Sequence, residues 1–98
     1  MFTSGQIPVD PATGTITGET IVEQAKQVMA NLQVVLAAAG TTPERTVKTT
    51  CFLADMADFA AFNEIYAQTF TSKPARSCVA VRTLPKGVLC EVEVIAEI

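Results

Sequence analysis

The residues of this chain best suited to chemistry lie on two β-like runs near its C-terminus. "PARSCVAV" (74–81) carries Arg76 and Cys78 on alternate positions, and "CEVEVIAEI" (90–98) carries Glu91, Glu93 and Glu97. A guanidinium can hold a carboxylate through two parallel charge-assisted hydrogen bonds. A glutamate can place a water and move its proton. There is no histidine in the 98 residues. That removes the commonest general base, the Ser-His and Cys-His dyads and most zinc sites. Any reaction must run on carboxylate, guanidinium, thiol, hydroxyl, amide or backbone groups.

Other candidates carry a weaker signal. Ser4-Gly5 offers a hydroxyl beside a close backbone approach, and is equally ordinary turn chemistry. Asn63 and Tyr66, at i and i+3, present two polar tips on one helix edge. Tyr66 also fits a core aromatic whose hydroxyl reaches the rim. Cys78 taken alone is more often a small hydrophobe than a nucleophile. The stretch "GTITGE" lacks the spacing of a phosphate loop.

The frame that must position these groups is one domain, residues 1–98. A chain this short buries only about 60–68% of the surface its unfolded form exposes, so self-association would add needed burial. Its apolar fraction of 49% and mean hydropathy of +0.34 are high for a small monomer and favour an oligomer. The net charge is −3 and the seven Lys and Arg are scattered. No basic stripe faces a row of phosphates, which argues against avid nucleic-acid binding. No apolar run approaches the roughly 20 residues of a membrane span, and no signal sequence is evident. Three cysteines, Cys51, Cys78 and Cys90, without CxxC spacing fit reduced thiols in a cytoplasmic compartment.

Periodicity supplies the elements. Phe2–Ile7 reads as a short strand, followed by turn residues. Thr20-Ile-Val-Glu23 fits a capping box, and Ile21, Ala25, Val28, Met29, Leu32, Val35, Leu36 and Ala39 form one apolar stripe ending at Gly40. A strand follows over 45–55. Asp55 or Asp58 can cap a second helix carrying Phe59, Phe62, Tyr66 and Phe70. Strands over 76–83 and 88–97, separated by "LPKG", read as a hairpin. The expected architecture is α+β: a two-layer sandwich with both helices on one face of a mixed sheet.

In that hairpin, with Thr83 facing Val88, Ala80 lies opposite Glu91 and Cys78 opposite Glu93. Val79 and Val81 then join Cys90, Val92, Val94 and Ala96 on the core face. Arg76, Cys78, Arg82, Glu91 and Glu93 share the helix-free face. A solvated face with ion pairs of about 0.2–1 kcal/mol each explains Arg82, Glu93 and Glu97. For Arg76 with Glu91, a structural and a functional reading weigh about evenly. The mixture of charges with Cys, Ala, Leu and Ile suits a subunit interface.

Five segments, "SGQIPVDPATG", "QVMANLQVVLAAAG", "FLADMADFAAFNEIYAQTF", "PARSCVAVRTLPKG" and "EVEVIAEI", together resemble the RidA/YjgF family of enamine/imine deaminases, in order and across Phe2–Ile98. The resemblance implies a chorismate-mutase-like fold and a homotrimer with three clefts between subunits. It implies hydrolysis of reactive 2-enamine and 2-imine acids, such as 2-aminoacrylate, to 2-keto acids and ammonia, with no metal or organic cofactor. Carried onto matching positions, Arg76 would clamp the substrate carboxylate and Glu91 would place and deprotonate the water or protonate the amine. Ser4, Gly5 and the Cys78 backbone would line the pocket, with Asn63 and Tyr66 nearer its rim. Family members carry a further strand and turn before "SGQIP", including a Tyr near the substrate, so a sheet short of an edge strand and a pocket short of a wall are expected here. The connection "TSKPAR" is also shorter than in the family. Two alternatives accompany this reading: a non-catalytic, small-molecule-binding regulatory trimer, and an endoribonuclease or translation inhibitor.

Overall fold

A computed structural model describes residues 1–98. The first helix, α1 (Ile21–Ala38), starts where the sequence says it should. Thr20 Oγ1 accepts from the Glu23 amide while the Glu23 carboxylate accepts from the Thr20 amide. It ends in a Schellman turn: the Thr41 amide donates to Leu36 and the Gly40 amide to Ala37, with Gly40 at φ +84°. Ala25, Val28, Leu32 and Leu36 are fully buried along its inner face. Val35 and Ala39, expected in the same stripe, lie at its margin.

Three strands follow: β1 (Thr46–Leu53), β2 (Ala75–Ala80) and β3 (Cys90–Ala96), with α2 (Phe59–Thr69) between β1 and β2. A short 3-10 turn, Met56–Asp58, leads into α2, and the Asp55 side chain caps this turn by accepting from Ala57. The sheet order is β2-β1-β3. β1 pairs with β2 in parallel and with β3 antiparallel, so the sheet is mixed and the architecture α+β, as expected. Phe62 and Tyr66 from α2, Phe70 just beyond its end and the inner face of α1 meet Cys51, Leu53, Cys90, Val92 and Val94 in one core. No helix is long and apolar enough to cross a membrane.

The expected β2–β3 hairpin does not form. The unit β1–α2–β2 is a crossover, which lays β2 beside β1 in parallel; β3 then takes the other edge of β1. The "LPKG" stretch does turn, with Lys86 and Gly87 both at positive φ. That turn carries the chain across the end of β1 and not back along β2. The faces of β2 change accordingly. Arg76 is in register with Thr49, and Cys78 with Cys51, and both β1 residues point into the core. Arg76 and Cys78 therefore belong to the helix-covered side. Val79, expected in the core, is 46% exposed on the other side, and Val81 is only half-buried. On β3 the expected alternation holds, with Cys90, Val92, Val94 and Ala96 inward.

The N-terminal residues run antiparallel along the free edge of β3 through isolated bridges, Phe2 with Ile95 and Gln6 with Val92, without becoming a regular strand. Four residue steps on one side span three on the other, so one extra residue bulges out at Ser4-Gly5. Asn31 of α1 anchors the continuation by donating to the carbonyls of Ile7 (3.2 Å) and Val9 (2.9 Å). Gln24, buried in α1, bridges Gly18 and the Leu89 amide and so fixes the entry to β3.

Candidate functional site

Arg76 is held from three sides. Phe59, Asn63 and Tyr66 fall at i, i+4 and i+7 of α2 and share the face turned toward the start of β2. The guanidinium carbon lies 4.6 Å from the Tyr66 ring centroid and 5.2 Å from that of Phe59, within cation–π range. Its Nη1 donates to Asn63 Oδ1 at 2.6 Å. Tyr66 is itself pinned, with its hydroxyl 2.8 Å from Thr49 Oγ1 and its ring 4.8 Å from that of Phe70. Burial pushes the Tyr66 phenol upward, opposed by the Thr49 hydrogen bond and the Arg76 charge.

Beside this group lies a cavity of about 370 Å³, lined by Asn63, Tyr66, Ala67, Phe70, Lys73, Pro74 and Arg76. None of the seven is acidic, so the guanidinium faces it without a carboxylate. Cys78 is half-buried on the same side. Burial raises its thiol, with Arg76 pulling the other way, so at neutral pH it is a thiol and a poor nucleophile. Its in-register neighbour Cys51 is fully buried and pushed up to about 12.

Glu91 belongs to a different place. On β3 it is in register with Phe52, on the sheet face opposite the helices. Its carboxylate lies against Gly5, where a Cβ would overlap Oε2. Only a glycine there leaves the carboxylate in this position, since any larger residue would make the Glu91 side chain move away. Within one chain Arg76 and Glu91 therefore lie on opposite faces of the sheet, where the expected hairpin would have joined them. One cluster gathers Arg76, Asn63, Tyr66 and Cys78. The other gathers Glu91, Gly5 and Ser4. Phe59, Thr49 and Lys73 escaped the sequence reading. Of these, Phe59 had a signal, four residues before Asn63 and seven before Tyr66.

A second cavity, about 320 Å³ between α1 and the segment 5–11, is lined by Gly5, Gln6, Ile7, Val9, Pro11, Asn31, Val34 and Val35. It holds no titratable side chain and can do no acid–base work. No three Cys, Asp or Glu side chains converge to hold a metal ion.

Residues 1–98 match, end to end, the family described as Endoribonuclease L-PSP. The chain belongs to that family. It is the same group as the RidA/YjgF family named in the resemblance, and it includes the RutC proteins. A RutC family protein of Synechocystis sp. is 58% identical over 98% of this chain and 76% of its own length. A Rid family protein of Yersinia pestis superposes with a TM-score of 0.96 at 45% identity, over 99% of this chain and 79% of that one. The E. coli TdcF structure with bound serine superposes with a TM-score of 0.91 at 44% identity, over 97% and 77%. The family frame accounts for the shared fold, and the TdcF structure shows that one member holds an amino acid.

Proposed function

We propose that this member hydrolyses reactive 2-enamine and 2-imine acids to 2-keto acids and ammonia, at a site completed between two copies of the chain. The observation that carries the reading is Arg76. It is a half-buried guanidinium, stacked between two rings, steered by an amide and facing a cavity without an acid. Such a group is set for a carboxylate at little further ordering cost. The serine held by TdcF has the carboxylate and α-nitrogen such a clamp would orient.

In this reading Glu91 of one copy faces the imine carbon of a substrate clamped by Arg76 of its neighbour. Water adds to the carbon of the protonated imine as Glu91 takes one of its protons, giving the carbinolamine. Glu91 then returns that proton to nitrogen, the C–N bond breaks, and the hydroxyl gives up its proton to the departing ammonia as the C=O forms. One water is consumed, the C–N bond breaks, and a 2-keto acid and ammonium leave. The imine carbon is electrophilic already, so placement supplies most of the rate. The raised Cys78 thiol has no step to perform and lines the pocket. A ring of three copies, as the family resemblance implies, is the assembly proposed with it; the exposed helix-free face of each sheet, Val79 and Phe2 included, is free for such packing. Release of 2-keto acid from imine supplied by a serine or threonine dehydratase tests the reading. Purified protein accelerates it and Arg76→Ala does not; no acceleration by the wild-type protein refutes hydrolysis.

The bound serine of TdcF also favours a second reading, a binding module without turnover. Keto acids that raise the melting temperature while imine decay stays at the uncatalysed rate would select it. Ribonuclease action, which the family's description carries, meets a chain of net charge −3 without histidine and has the least physical support.

A further inference from the structure

The cavity beside Arg76 holds a second cation. Lys73 lies at its edge in the left-handed region, φ +56°, in a turn closed by its amide donating to the Phe70 carbonyl at 3.3 Å. Pro74 follows and restricts the backbone further. The lysine stem is thus presented from a defined turn and not from a loose loop. A monocarboxylic substrate uses Arg76 and leaves Lys73 idle. The remaining lining is aromatic, aliphatic or amide, and none of it can neutralise an ammonium.

We infer that this cavity takes an acid with two carboxylates: a 2-imino or 2-keto dicarboxylic acid of four or five carbons. Arg76 holds the α-carboxylate and Lys73 meets the distal one. The inference rests on the reading of Arg76 as a carboxylate clamp and adds the substrate class to it. A volume of about 370 Å³ lies within the range of small-ligand pockets. The floor of Tyr66 and Phe70 suits the short methylene link between the two charges. Because Lys73 is exposed, the gain is that of a rim charge: about fivefold in affinity at low salt, shrinking as salt is added.

The test is calorimetric titration of the intact assembly with 2-ketobutyrate and with 2-ketoglutarate, for wild type, Lys73→Gln and Arg76→Ala. The expected result is a diacid bound about fivefold more tightly than the monoacid by wild type, a ratio near one in Lys73→Gln, and loss of both in Arg76→Ala. A wild-type ratio of one or below, with monoacid binding still dependent on Arg76, overturns the dicarboxylate inference and leaves the clamp standing. A ratio that survives Lys73→Gln overturns the role of Lys73. Failure of wild type to bind either acid overturns the clamp and the inference together.

Discussion

Because Arg76 and Glu91 face opposite sides of one sheet, two inactive variants should restore each other. Consider Arg76→Ala and Glu91→Gln, each assembled alone. Every site then lacks either its clamp or its proton-transfer group, and turnover should fall by roughly a hundredfold or more. In a one-to-one mixture of copies, a site draws the Arg76 half from one chain and the Glu91 half from its neighbour. Each half is intact with a chance of one in two, so about a quarter of all sites carry both, whatever the number of copies in a closed ring. If both groups served one site from the same chain, every site would keep one lesion and nothing would return. The assay is release of keto acid from enzymatically supplied imine, on variants carrying different tags and mixed by joint refolding. Native mass spectrometry confirms that mixed assemblies have formed. Recovery to about a quarter of wild type is expected. Mixed assemblies no more active than the separate variants would refute the two-copy site.

Gly5→Ala places a methyl on the Glu91 carboxylate; the acid must swing away, and turnover should drop about a hundredfold while the melting temperature of the assembly moves little. Thr20→Ala removes the cap of α1 and should cost about 1 kcal/mol, read as a fall of roughly 4–8 °C in Tm. Cys51 and Cys90 are both pushed up to about 12 by burial. The unfolded chain releases those protons near pH 9 and the folded chain keeps them, so stability is full below about 9 and falls as pH rises toward 12. Denaturant midpoints between pH 8 and 11 should show this loss, and Cys51→Val with Cys90→Ala should flatten it; an unchanged pH slope in that double variant would refute the assignment to the thiols.

Local signals in the sequence were reliable wherever the physics is local. The Thr20–Glu23 box and Gly40 bound α1 because capping is settled within a turn. The alternation of β3 showed its inner face because that strand is covered along its length by the core. Strand partnership is not local. Val79 looked like a core residue by type, yet β2 is an edge strand, and α2 covers the side that holds Arg76. A guanidinium there is tolerated because Phe59, Tyr66 and Asn63 receive it. Alternation gives the period of a strand and not which face is covered, so an error in partner reversed every side chain on β2. The same error hid that Arg76 and Glu91 lie on opposite faces of the sheet. Lys73 meets Arg76 only at a cavity lined by α2, β2 and the turn between them, and no spacing in the chain reports it.

The antiparallel seam between the first residues and β3 has a consequence for synthesis. Phe2 meets Ile95, Gln6 meets Val92, and the Met1 nitrogen donates to the Ala96 carbonyl, so residues 1–6 must wait for a strand that is made much later. During translation α1 and the β1–α2–β2 unit can form while the Ser4-Gly5 bulge has nothing to lie against. Loop closure over so long a separation makes that seam a late event. The contact of Gly5 with Glu91 then takes shape last, after Arg76 has settled against Asn63 and Tyr66.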